Sequence, residues 1–276
     1  LAPIYTALTF VLWIGLVMLG EVPYIALCHA MSVLSTSGIS PIGGVYYAVS
    51  GFWGELLVFG FFIFALSRLT FSRGMFGDSD ARLIRDPEMR MALGLVAGTT
   101  VLLFARHYIG SIEEGTQSTL SGLFASLWGS IFTVTSFLTT TGFESRFWDG
   151  AAQWSGLETP GLFLVGLSLI GGGVATTAGG VKLLRVYALF RHSERELERL
   201  LHPSSVGGGG REARMIRRQG AYISWIFFML FALSGAAVMI LLSLTGVQFE
   251  TSMVLTVASL STTGPLAVVA AEVPIS

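Results

Sequence analysis

Cysteine occurs once, at Cys28, so no disulfide can form within the chain. Charge is nearly as scarce: Asp, Glu, Lys and Arg make up 12% of 276 residues, where a soluble domain carries about a quarter. Apolar residues reach 53% and the mean hydropathy is +0.72, which excludes a soluble globular domain. The histidines, His29, His107, His192 and His202, have no partner three or four residues away, which argues against a helical metal site. A phosphate-binding loop is excluded as well, because Lys182 follows Val181 where that motif needs glycine. A net charge of −1 gives no footprint for nucleic acid, and none is expected as a partner.

What the chain has in quantity is long apolar runs. Runs of membrane-spanning length occupy about residues 4–20, 51–67, 91–110, 158–192 and 220–245, against the roughly 20 residues that a transmembrane helix needs. Of the 16 Lys and Arg residues, 14 fall in two segments, Arg68 to Arg90 and Lys182 to Arg218. These segments are expected to be cytoplasmic. Trp53, Trp148 and Trp154 on the opposite side, with Tyr222 and Trp225 on the inner side, fit interfacial belts or scatter by composition.

Parity singles out one further apolar stretch. Between the basic segments the runs at 91–110 and 158–192 already make one crossing out and one back, yet residues 121–138 are also apolar. Their flanks carry Glu113, Glu114, Glu144 and Asp149, opposed only by Arg146. The segment is therefore expected to dip in and turn back, which lipid tolerates only where protein or a water-filled cavity surrounds the backbone.

The turning point belongs to a repeat. Met-Ser-Val-Leu-Ser-Thr-Ser-Gly (31–38), Thr-Ser-Phe-Leu-Thr-Thr-Thr-Gly (135–142) and Val-Ala-Ser-Leu-Ser-Thr-Thr-Gly (257–264) share Leu, three hydroxyl residues and Gly. The glycines lie 104 and 122 residues apart, a spacing that suits a repeated membrane unit. Each copy has a spanning helix, an outer turn, a short apolar helix and then the motif. A half-helix entering from outside aims its negative C-terminal end at the membrane centre, where a cation is favoured. Glycine then lets the loop turn its carbonyls inward, and such carbonyls can replace an ion's water shell. A single such cluster would more commonly be a helix C-terminal cap or a Ser/Thr turn.

These residues resemble the Trk/Ktr/HKT superfamily of potassium transporters, more closely its Trk-type bacterial membrane subunits. The resemblance implies an all-α membrane protein with helix, pore half-helix, filter loop and helix units repeated around a central pore. It implies filter residues Thr36, Ser37 and Gly38, then Thr140, Thr141 and Gly142, then Thr262, Thr263 and Gly264, with K⁺ bound there as the transported ion and no organic cofactor. Ile-Gly-Gly-Gly-Val-Ala-Thr-Thr-Ala-Gly-Gly-Val-Lys-Leu-Leu-Arg (170–185) resembles the family's intramembrane gating loop. Gly171, Gly172, Gly173, Thr176, Thr177, Gly179, Gly180 and Lys182 are its gate candidates. The residues themselves agree, because the run from 158 to 192 exceeds one span and its glycines disfavour continuous helix by roughly 1 kcal/mol each. A packing surface of small residues is the other reading of the same glycines.

By that anchor the chain reads as a fragment with units two, three and four. Residues 1–72 are the second unit, 73–90 a cytoplasmic loop, 91–192 the third unit broken at 171–180, 193–219 a cytoplasmic linker, and 220–276 the fourth unit without its last helix. The resemblance further implies a homodimer in the bacterial inner membrane with a cytosolic nucleotide-binding regulatory subunit. The function expected is potassium uptake, with a Na⁺-permeable or K⁺/Na⁺ symport variant as the alternative. An intramembrane serine hydrolase is a remote alternative that lacks an evident base, and no enzymatic chemistry is expected. Among the outer acids, Glu21, Glu113, Glu114, Glu144, Asp149, Glu158, Glu250 and Glu272 form either a cation-concentrating mouth or ordinary solvated loops. Glu144, two residues past Gly142, is the acid expected nearest the ion path, and Glu55 reads as structural.

Overall fold

The computed structural model describes residues 2–66, 86–113, 120–149, 161–174, 176–202 and 218–271. The first copy of the repeat contains α1 (Ala2–Met18), α2 (Pro23–Ser35) and α3 (Gly51–Leu66). The second contains α4 (Pro87–Glu113), α5 (Leu120–Leu138), α6 (Gly161–Ile170) and α7 (Leu183–Leu201). The third contains α8 (Arg218–Leu244), α9 (Phe249–Leu260) and a short α10 (Leu266–Ala271). Prolines mark the starts of α2 and α4, where the missing amide hydrogen costs nothing. Much of the basic loop and linker expected at 73–90 and 193–219 lies outside the described residues, as does Trp154.

Three helices among the described residues are long and apolar enough to cross a membrane: Pro87–Arg106, Ser121–Leu138 and Gly220–Leu244. Length alone would let α5 cross, but its exit shows a reversal. The Ser145 amide donates to Thr133 Oγ1 at 3.2 Å. A Cβ on Gly129 would come within 2.9 Å of the Phe147 backbone. Position 145 thus lies beside 133 and 147 beside 129, so the arm after Gly142 runs back along α5 toward its start. The first copy does the same, with Ser40 Oγ beside His29 Nε2 at 2.7 Å and the Ser50 amide donating to Glu21 Oε2 at 3.1 Å.

The long glycine-containing run is broken as its composition requires, over 171–182 rather than 171–180. The described part of α6 has 10 residues, about 15 Å at the α-helical rise and about half of what a crossing needs. Val181 and Lys182 then donate to the carbonyls of Leu169 and Ile170, each at 2.9 Å, and Leu183 donates to Gly172 at 3.0 Å. The second helix therefore resumes where the first ended, and the residues between make a sideways excursion.

Two cores hold the assembly. One is built from α1, α2 and α3, with Phe132 and Phe143 of the second copy inserted. The other mixes Leu66, α4, α5, α6, α7, α9 and α10, so the second and third copies share one interior. Most of α8 faces outward, as a lipid-facing helix does: Tyr222, Trp225, Leu233 and Leu241 are all exposed.

Candidate ion pathway

Each half-helix ends in the same way. Thr36, Thr140 and Thr262, the middle hydroxyl residues of the three motifs, have φ of 51°, 61° and 59°. Their amides donate three residues back, to Val33, Phe137 and Ser259, and the next amides donate five back, to Ser32, Ser136 and Ala258. That pair of bonds is the Schellman cap, so the capping reading of these clusters is right as local structure. The residue at the left-handed position is what sets them apart. It is normally glycine, and a β-branched residue there costs roughly 1–2 kcal/mol. Three threonines held in that conformation, in register, mark a place where the surrounding fold over-determines the backbone, as functional sites do.

The loops also converge. A Cβ on Gly38 would lie 2.2 Å from the Thr141 carbonyl oxygen and 2.6 Å from Pro265 Cδ. One on Gly142 would lie 2.8 Å from Thr263 Cγ2 and 3.2 Å from Pro265 Cδ. Only glycine permits this approach, and both residues have positive φ, 66° and 79°. Among the described residues the carbonyls of Thr36, Ser37, Gly38, Thr140, Thr141 and Gly142 accept no hydrogen bond.

The third loop differs. Gly264 has no positive φ, and a Cβ added there would meet nothing within 4 Å among the described residues. The carbonyls of Thr263 and Gly264 accept from Leu266 and Ala267, each at 3.1 Å, as Pro265 starts α10. Of the three candidate residues there, Thr262 alone keeps a carbonyl without a donor among the described residues. Thr262 and Gly264 are exposed, whereas Thr36, Gly38 and Thr140 to Gly142 are buried.

Directly against these loops sits the excursion of the broken helix. Thr177 Oγ1 donates to the Leu34 carbonyl at 3.0 Å and lies 3.2 Å from Thr36 Oγ1, in the first copy. The Gly179 amide donates to Thr140 Oγ1 at 2.8 Å, in the second. A Cβ on Gly179 would fall 1.9 Å from the Ser261 carbonyl oxygen, in the third. One segment therefore touches all three motifs.

Gly171 and Gly180 turn the excursion, both with φ of 73°. The Gly173 amide donates to the Ala65 carbonyl at 2.9 Å, and Gly172 packs on the same oxygen. Thr176 Oγ1 donates back to the Gly173 carbonyl at 2.7 Å. Lys182 Nζ donates to the carbonyls of Ala178 and Thr176, placing a fixed cation within the loop. Glu88, fully buried at the start of α4, accepts from the Val174 amide at 3.0 Å. No local pattern marks Glu88, because its partner lies 86 residues away.

Around the loops the acids divide. Glu144 is half-buried on the returning arm, and its carboxyl is pushed up to about 7 by burial and then by Asp149. Glu21 does not belong to a solvated mouth. It is buried, because its Oε2 holds the Ser50 amide of the returning arm. Trp148 likewise is no belt residue, since it packs in the core shared by the second and third copies, whereas Trp53, Tyr222 and Trp225 are exposed. Glu55 is fully buried and accepts three hydrogen bonds from the second copy. His29 meets Ser40, 11 residues on, a serine–histidine pair that no three- or four-residue spacing marks. Its counterpart in the second copy is Thr133 with Ser145, so the pair braces the arm.

The TrkH family of cation transport proteins matches residues 5–266. The chain belongs to that family. A TrkH-family relative, the Trk system potassium uptake protein TrkH of Salmonella typhimurium, is 33% identical over 181 residues, 66% of this chain and 35% of its own length. The Trk system potassium uptake protein TrkG of Escherichia coli is 27% identical over 245 residues, covering 87% of this chain and 47% of the relative. The crystal structure of the potassium transporter TrkH from Vibrio parahaemolyticus superposes with a TM-score of 0.75 at 23% identity, over 94% of this chain and 53% of that one. The TrkH-family fold is therefore shared, and the chain spans about a third to a half of the length of these relatives.

Proposed function

We propose that this chain builds three walls of a K⁺ uptake pathway, with backbone carbonyls of the three hydroxyl-glycine loops as the selectivity filter and the segment 171–182 as the gate beneath it. The observation that carries the reading is the single excursion bonded to Leu34 and Thr140 and packed on Ser261, directly behind two loops whose carbonyls have no donor among the described residues and a third that keeps one such carbonyl, at Thr262. A closed gate and an ion-lining ring need such a junction, and a packing stripe of small residues does not. The TrkH-family relatives carry the name of potassium uptake proteins, which supports K⁺ as the ion.

In this reading Thr36, Ser37, Gly38, Thr140, Thr141, Gly142 and Thr262 supply the carbonyls, and Thr263 and Gly264 hold the third loop. The half-helices α2, α5 and α9 direct their negative ends at the ion. Lys182 supplies positive charge in the gate, and Glu88 ties the gate's inner arm to α4. A multi-pass place in a bacterial inner membrane, a homodimer and a cytosolic nucleotide-binding regulator belong to the same proposal.

The unequal third loop favours a second reading, in which Na⁺ also passes or is co-transported. With two of its carbonyls committed to α10, the ring discriminates less sharply between ions of different size. Flux measured in liposomes with the full-length protein separates the two. A K⁺ flux well above the Na⁺ flux is expected, and equal fluxes would overturn the K⁺-selective reading.

A further inference from the structure

Glu55 lies one turn into α3, in the first copy, and its side chain is fully buried. Oε1 accepts the Arg146 amide at 2.8 Å. Oε2 accepts Trp128 Nε1 at 2.9 Å and Ser145 Oγ at 2.8 Å. Every donor belongs to the second copy: Trp128 on α5, and Ser145 and Arg146 on the arm that returns from Gly142. Both oxygens act as acceptors, the pattern of a carboxylate, and among the described residues no Lys, Arg or His lies within ion-pair distance.

That arrangement spans the whole lever that ends at the filter. The arm is pinned at Ser145 and Arg146, with Trp148 anchored in the core beyond them. On the filter side only Phe143 and Glu144 separate the pin from Gly142. Phe143 is buried edge-on against His29, with ring centroids 5.5 Å apart. The Thr141 carbonyl, at the end of this lever, abuts Gly38 of the first copy. Glu55 therefore ties the first copy's spanning helix to the second copy's filter strand at the point where their loops meet.

Resting on the filter reading above, we infer that Glu55 is a specificity-determining positioning residue. Its carboxylate sets the register between the first and second filter loops by holding the returning arm from outside the ion path. A glutamine at this position keeps the shape but offers one acceptor oxygen and an NH₂. The NH₂ would face either the Arg146 amide or the Trp128 and Ser145 donors, and the arm must shift to relieve that clash.

The test measures K⁺ and Na⁺ flux separately in liposomes carrying the full-length protein with Glu55→Gln, Glu55→Asp, Ser145→Ala or Gly142→Ser. Glu55→Gln is expected to lower the K⁺/Na⁺ ratio roughly tenfold, a factor equal to about 1.4 kcal/mol. Glu55→Asp, which keeps two acceptor oxygens, is expected to recover part of it. A residue that merely held the fold would lower both fluxes together and leave the ratio alone. If Gly142→Ser lowers the ratio while Glu55→Gln leaves it at the wild-type value, the inference is overturned and the filter reading stands. If neither changes it, the filter reading itself has failed. Should Glu55→Gln not fold, Ser145→Ala decides, with a severalfold fall supporting the inference and an unchanged ratio overturning it.

Discussion

Gly38→Ala should damage the pathway more than the same change at either of the other motif glycines. At Gly38 an added Cβ meets the Thr141 carbonyl oxygen at 2.2 Å and two Pro265 carbons at 2.6 and 2.7 Å, all closer than real Cβ contacts come. The residue also sits at φ +66°, which costs a non-glycine residue roughly 1–2 kcal/mol. Overpacking adds about 1–3 kcal/mol, so the total is about 2–5 kcal/mol, and it is relieved only by moving a proposed ion ligand.

At Gly142 the φ of +79° imposes the same backbone cost. The nearest atoms there are the Thr263 methyl and the Pro265 ring, which can shift, so about 1–3 kcal/mol is expected. Gly264 has neither obstacle, and alanine there should be neutral or stabilise by up to about 1 kcal/mol. Melting temperature in detergent and the K⁺/Na⁺ flux ratio in liposomes should both rank the variants Gly38→Ala worst and Gly264→Ala mildest. Equal losses at all three sites would mean a symmetric ring and would refute the reasoning from these contacts.

Further outcomes can be checked on the same protein. Thr262→Gly removes a left-handed threonine whose hydroxyl, among the described residues, bonds only its neighbour Ser261, so it should stabilise by about 1 kcal/mol, whereas Thr140→Gly also loses the acceptor of the Gly179 amide and should raise unstimulated flux. Gly179→Ala places a Cβ 1.9 Å from the Ser261 oxygen, so the excursion must lift off the third loop; flux that stays at the wild-type level in folded protein would count against the proposed gate. Glu144 is neutral below about pH 7 and charged above it, so K⁺ flux at limiting K⁺ should climb through that pH, and Glu144→Gln should flatten the profile. Because its folded value lies above the ordinary one, the unfolded chain releases the proton first, and stability should fall as pH rises from the ordinary carboxylate range to about 7.

The repeat was legible because its information is local: Leu, three hydroxyl residues and Gly recur in register, and each copy folds to the same cap. Parity of crossings made α5 re-entrant even though its 19 residues are long enough to span, and the arm beside Thr133 agrees. What could not be read depends on residues far apart in the chain. Glu55 and Glu88 meet partners 73 to 91 residues away, and no short pattern encodes that. Trp148 and Glu21 point inward where composition and flank position suggest the surface. The third loop's loss of two carbonyls to α10 follows only from where Leu266 and Ala267 donate.

The division into two interiors also bears on how the protein is made. Among the described residues, the core of α1, α2 and α3 draws its buried side chains from residues 12–62, with Phe132 and Phe143 from the second copy and Trp128 packed against it, so much of it can consolidate before the second copy is made. The other core joins Leu66 to Ala267 and cannot close until α9 and α10 are in place. Glu55 gains its donors Trp128, Ser145 and Arg146 with the second copy, and Gly38 meets Thr141 at that stage and Pro265 with the third. A nascent chain stalled before the second copy would therefore hold the Glu55 carboxylate without any of these donors.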